Sequence, residues 1–92
     1  MMFQIVKVVE LRPAGGHRLH VAFSDGSSGE HDFAPLVAEG GAMVEPLRDP
    51  AFFARAFVEM GVPTWPNGFD LDAIKLHMDM AEAGELKRAA AE

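Results

Sequence analysis

Apolar positions recur along this chain with two periods, a two-residue beat over its first third and a three-to-four-residue beat near its end. Phe3 to Leu11 predicts a first strand, because Val, Ile and Phe dominate it and Phe3, Ile5, Val9 and Leu11 share one side of the pleat. Pro13-Ala14-Gly15-Gly16 ends it. Arg18 to Ser24 alternates, with Leu19, Val21 and Phe23 on one side and Arg18, His20, Ala22 and Ser24 on the other, the pattern of a half-buried strand. Asp25-Gly26 favours a two-residue type I′ hairpin in which both central residues have positive φ, so Ser27 to Asp32 is the third strand.

Beyond the hairpin, Asp32 is placed to cap a short helix over Phe33 to Ala38, with Gly40-Gly41 stopping it. Arg48-Asp49-Pro50 predicts a turn or one helical turn, with Asp49 as cap and Pro50 in the first helical position. Phe53 to Val62 fits helical and alternating spacing alike. A strand is chosen, since Gly61 to Trp65 followed by Pro66-Asn67-Gly68 reads as the return arm and turn of a sheet element. Leu71 to Ala83 predicts a helix capped by Asp70, with Asp72 in its first turn and Gly84 as its stop. The expected fold is α+β: a small, mostly antiparallel sheet built from hairpins, a short helix after strand three, and a C-terminal helix packed on one face. Residues 1–84 form one domain on this reading, and 85–92 a frayed helical tail.

Composition narrows the function classes. The 92 residues suffice for one core, and 49% hydrophobic with 24% charged residues is the balance of a globular domain. No cysteine is present, which removes disulfides, zinc–thiolate sites and thiol chemistry. The first ten residues have neither a basic leader nor a long apolar run, so cytoplasmic residence is the expectation, with no membrane partner. A net charge of −6, with Lys87-Arg88 as the one basic pair, argues against nucleic acid as a partner.

Candidate chemistry is sparse. A two-residue hairpin at Asp25-Gly26 sets His20 opposite His31, close enough to share a metal ion, but Glu30 and Asp32 point to the other face and no third ligand is in sight. His17 and His77 complete the histidines. Asp25, Asp32, Asp70 and Asp72 each have a turn or capping role that competes with acid–base work. Ser24, Ser27 and Ser28 lack an oriented base at a solvated hairpin tip. Gly15-Gly16 and Gly40-Gly41 lack the setting of a phosphate loop. Trp65 reads as a core residue whose ring packs under its turn while its N–H finds a carbonyl. We expect no enzyme activity, no cofactor and no metal.

The last helix carries two apolar stripes. Leu71, Ile74, Met78 and Ala81 form one, expected to pack on the sheet. Ala73, Leu76, Met80 and Ala83 form the second, expected to meet a second copy or a partner helix, unless Leu86 and the tail fold back over it.

Three segments together carry a family likeness: Val21-Ala22-Phe23-Ser24-Asp25-Gly26, His31-Asp32-Phe33-Ala34-Pro35-Leu36-Val37 and Thr64-Trp65-Pro66-Asn67-Gly68-Phe69-Asp70-Leu71. Over roughly residues 5 to 78 the chain resembles the bacterial family called domain of unknown function 2442. The motif positions Asp25, Gly26, Asp32, Trp65, Pro66, Asn67, Gly68 and Asp70 belong to that likeness. The resemblance implies a small α+β unit, in some relatives followed by a helix-turn-helix domain, often encoded beside another small protein in arrangements suggestive of toxin–antitoxin pairs. With the acidic charge, it makes a protein-interaction domain the leading expectation, the neutralising partner in such a pair, acting as a homodimer or with another small protein. The alternatives are a regulatory domain related to helix-turn-helix-linked transcription regulators and a small metal-binding enzyme subunit.

Overall fold

The computed structural model describes residues 6–88. Three strands form a meander, β1 (Val8–Pro13), β2 (Arg18–Phe23) and β3 (Ser27–Asp32). Helix α1 (Ala34–Glu39), a 3-10 turn (Glu45–Arg48) and the single-turn helix α2 (Pro50–Phe53) follow. A second hairpin, β4 (Phe57–Glu59) and β5 (Val62–Thr64), leads through the Trp65 loop to α3 (Ala73–Glu82) and a short strand β6 (Lys87–Arg88). The main sheet is antiparallel in the order β1-β2-β3-β6, and β4-β5 is a separate two-stranded sheet. The α+β architecture expected from the hydrophobic pattern is the one found. Among the described residues no helix is long and apolar enough to cross a membrane.

One face of the main sheet is covered and the other faces solvent, as alternation in β2 requires. Leu19, Val21 and Phe23 are buried on the covered face and meet Phe33, Leu47, Phe53, Trp65, Leu76 and Met80. Aromatic rings run through this core in tilted and edge-on contacts, with centroids 5.7 Å apart for Phe33 and Phe53, 5.6 Å for Phe53 and Trp65, and 5.7 Å for Trp65 and Phe69.

Several details differ from expectation, each for a physical reason. In β1 the buried residue is Val8 while Val9 is exposed, because a bulge between Val8 and Glu10 inserts Val9 as an extra residue. Val8 and Leu11 are thereby set opposite Phe23 and Val21. Phe3 and Ile5 lie outside the described residues.

The β2–β3 register is shifted by one residue from the expected pairing. Phe23 and Ser27 are joined by three residues, and the turn is closed by the Gly26 N–H donating to the Phe23 carbonyl at 3.1 Å. Gly26 has φ +90° and Asp25 does not share its positive sign, so this is a type I turn with a glycine bulge, not a two-residue type I′ turn. A one-residue slip turns every side chain of β3 over. His31 now lies opposite Leu19 on the covered face and His20 opposite Glu30 on the exposed face, which dissolves the expected His20–His31 pair.

The segment expected as one strand from Phe53 to Val62 divides instead. Phe53 ends α2, whose cap Asp49 accepts a hydrogen bond from the Ala51 N–H, and strand pairing begins only at Phe57.

Helix α3 starts two residues later than expected. Asp70 bridges to Thr64 and the Leu71 N–H donates to the Pro63 carbonyl, so both residues extend the loop, and Asp72 becomes the cap by accepting from the Ile74 N–H. Its two stripes also exchange places. Ala73, Leu76 and Met80 are buried in the chain's own core and Ala83 is exposed, whereas Ile74, Met78 and Ala81 face solvent and Leu71 is half-buried. Burying Leu76 and Met80 contributes about 1.5–3 kcal/mol each.

The tail is no frayed helix over its described part. After Gly84, with φ +74°, Glu85 and Leu86 run back under the sheet and Lys87 and Arg88 pair with Ser28 and Ser27. Leu86 packs on the core. Gly29 permits this path, since a Cβ there would stand 2.0 Å from the Glu85 carbonyl oxygen.

Candidate functional site

Two places gather polar or accessible apolar side chains. The first is the β2–β3 tip, where the hairpin, α3 and β6 meet. The three-residue loop folds the Asp25 carboxylate back over Ser27, whose backbone N–H and hydroxyl donate to Oδ1 at 3.0 and 2.6 Å. From α3, His77 Nε2 donates to Asp25 Oδ2 at 3.0 Å and lies 3.4 Å from the Ser27 hydroxyl. The imidazole is edge-on to Phe23, with centroids 4.8 Å apart. From β6, Arg88 Nη1 donates to the Asp25 carbonyl at 2.6 Å. Burial by itself would push the Asp25 carboxyl up. The hydrogen bonds from Ser27, and the hydrogen bond and charge of His77, outweigh it and hold the carboxyl below its ordinary range.

Serine, histidine and aspartate therefore sit together, but not as a nucleophilic triad. In a triad the imidazole lies between the other two, taking the serine proton on one nitrogen and holding the carboxylate with the other. Here Nε2 faces both partners and the Ser27 proton is given to Asp25. Ser27 is also buried, with 5% of its surface exposed. The cluster ties three elements together and does not activate the hydroxyl.

The second place is a groove between α1 and α3, of about 510 Å³. Phe33, Leu36, Leu71 and Leu76 supply apolar surface, and Asp32, Glu39, Asp72 and Asp79 stand around it. Asp32 Oδ1 accepts from the Ala34 N–H at 2.9 Å, which starts α1 and fixes the carboxylate at the rim. At one end His31 Nδ1 is 2.7 Å from Glu85 Oε1, and its ring meets Phe33 edge-on with centroids 4.7 Å apart.

The remaining expected site residues have structural places. Trp65 is fully buried and its Nε1–H donates to the Phe53 carbonyl at 2.9 Å, the core role expected of it. Pro66, Asn67 and Gly68 make the turn beneath which it packs, closed by the Gly68 N–H on the Trp65 carbonyl. Asn67 Nδ2 donates to the Met43 carbonyl at 2.9 Å. His17 Nε2 reaches the Leu47 and Arg48 carbonyls at 3.0 and 3.2 Å and pins the β1–β2 turn to the 3-10 turn. Among the described residues no three His, Asp or Glu side chains gather to hold a metal ion. Reading along the sequence missed Glu85 and Arg88 as partners of His31 and Asp25, because the tail carries no strand signal of its own. A glycine inside β3, at Gly29, was the available sign of a closely approaching backbone.

No curated protein and no solved structure matches the chain. The tip of the first hairpin, the capped start of α1 and the Trp65 turn all fall within one family match, and on that match over residues 8–78 the chain belongs to the family described as Protein of unknown function (DUF2442).

Proposed function

We propose that the domain is an acidic protein-interaction module, the neutralising member of a toxin–antitoxin-like pair, and not an enzyme. The observation that carries this reading is the outer stripe of α3. There Ile74 and Met78, 45% and 56% exposed, follow the half-buried Leu71 at helical spacing, and Leu71 continues this surface to the edge of the α1–α3 groove. Apolar side chains gathered on one face mark a contact surface more than scattered ones do. The polar side chains that could do chemistry are meanwhile taken up by internal hydrogen bonds, Asp25 with Ser27 and His77, and His31 with Glu85.

Hydrogen exchange on the protein purified from its host tests this. A stoichiometric protein partner should slow exchange over 71–78, and Ile74→Asp with Met78→Asp should abolish its retention while circular dichroism stays unchanged. A host-purified protein that is monomeric, with 71–78 exchanging as in the isolated chain, would overturn the reading.

A further inference from the structure

We propose that the α1–α3 groove receives a basic amphipathic helix of a partner protein. The proposal rests on the interaction reading above and adds the partner's chemistry. Charge is the first argument. Asp32 and Glu39 stand on the α1 side and Asp72 and Asp79 on the α3 side, against one cation, Lys75, whose Nζ is 3.2 and 3.1 Å from the two Asp79 oxygens. The pair Lys75–Asp79 cancels itself and leaves Asp32, Glu39 and Asp72 as the net charge of the rim. Asp72 and Asp32 each use one oxygen on a helix N–H, and among the described residues Glu39 pairs with no cation. Arg18, 3.9 Å from Asp32 and 3.2 Å from Glu30, offsets the rim only at its sheet end. A protein of charge −6 that sets carboxylates around an apolar cleft selects a partner with Lys or Arg beside apolar anchors.

The walls supply the second argument. Both are helices, whose backbone groups point along their own axes and not sideways into the groove, so they offer no row of donors and acceptors to an extended strand. A helix brings its backbone bonds with it and needs from the groove only apolar contact for side chains at i, i+3 or i+4 and i+7. The ten residues of α3 span about 15 Å, the length of about three turns of a docked helix.

The test uses designed peptides of about fourteen residues. One has Leu on one face and Lys and Arg on the other, a twin has Glu in place of every cation, and a third scrambles the basic sequence. Titration into the 15N-labelled protein should give saturable shifts at Leu36, Leu71 and Lys75 with the basic amphipathic peptide, weakening as salt rises. The acidic twin should bind at least about tenfold more weakly, and the scrambled peptide should give no saturable shifts. Glu39→Lys with Asp79→Lys, both at exposed positions, should reverse the preference between the twins without changing the fold. Equal binding of both twins, or shifts confined to Ile74 and Met78, would overturn the proposal. A host partner that protects 71–78 yet is indifferent to Glu39→Lys and Asp79→Lys would sink this inference and leave the interaction reading standing.

Discussion

The β2–β3 and β4–β5 hairpins turn through loops of different length, and in each case the cause lies outside the loop. Ser24, Asp25 and Gly26 make a three-residue turn in which Gly26 alone takes positive φ. Met60 and Gly61 make a two-residue turn in which both do, at +53° and +80°. The first tip is drawn inward by a carboxylate that bonds Ser27 and His77. The second is drawn onto the edge of β1, where the Gly61 carbonyl accepts the Val8 N–H at 2.8 Å and a Cβ on Gly61 would come within 3.0 Å of the Lys7 Cβ. Asp-Gly has the better local propensity for the two-residue turn, yet Met-Gly adopts it. Tertiary contact chooses loop length when each choice sets a whole strand's side chains to one face or the other.

Three substitutions break or sharpen this contrast. The largest effect belongs to Gly29→Ala, which drives a methyl group into the Glu85 backbone and should cost about 2–3 kcal/mol, read as a fall in thermal midpoint. An unchanged midpoint would show that the tail does not lie across β3.

Asp25→Asn comes next, at about 1–2 kcal/mol near neutral pH, because it weakens charge-assisted hydrogen bonds from Ser27 and His77. The carboxyl is held below its ordinary value of 3.8 in the folded chain, so on acidification the unfolded chain takes up this proton first. The stabilisation is complete above the ordinary value and lost as pH falls through the folded one. Urea melts between pH 3 and 7 should show that slope shrink in Asp25→Asn. A variant that keeps the parent's acid slope would remove Asp25 as its source.

Smallest is Met60→Asn at the other tip. Asparagine tolerates the left-handed conformation that methionine holds there, and the side chain is 92% exposed, so stability should rise by about 0.5–1 kcal/mol. A loss of stability would mean that Met60 makes a contact worth more than its strain.

Much of the fold was legible because alternation and caps are local. Leu19, Val21 and Phe23 announced β2 and its buried face, Asp49-Pro50 announced α2, and Trp65 with its turn announced a packed indole bonded to a carbonyl. What could not be read was set by distant contacts. The β1 bulge is visible only once Val8 and Leu11 are seen to need the same face. The choice between the two stripes of α3 turned on which one met Phe23 and Trp65, and a helical wheel holds no such information. The candidate site followed the same division. Asp32 and the α3 acids were in view as caps and flanks, but the groove exists because α1 and α3 stand apart on one sheet face.

The backbone of Glu85 crossing Gly29 also bears on the order in which the chain assembles. The β2–β3 pairing closes a loop of three residues, whereas Lys87 and Arg88 reach Ser28 and Ser27 across roughly sixty residues, so their closure carries the greater entropic cost. The tail needs β3 as its template and α3 as its anchor, whereas the β2–β3 pairing and α3 also form through contacts of their own. Lys87 and Arg88 should therefore be the last strand laid down and the first to detach, and the amide protons of β3 that face β6 should exchange on the timescale of that fraying and not of global unfolding.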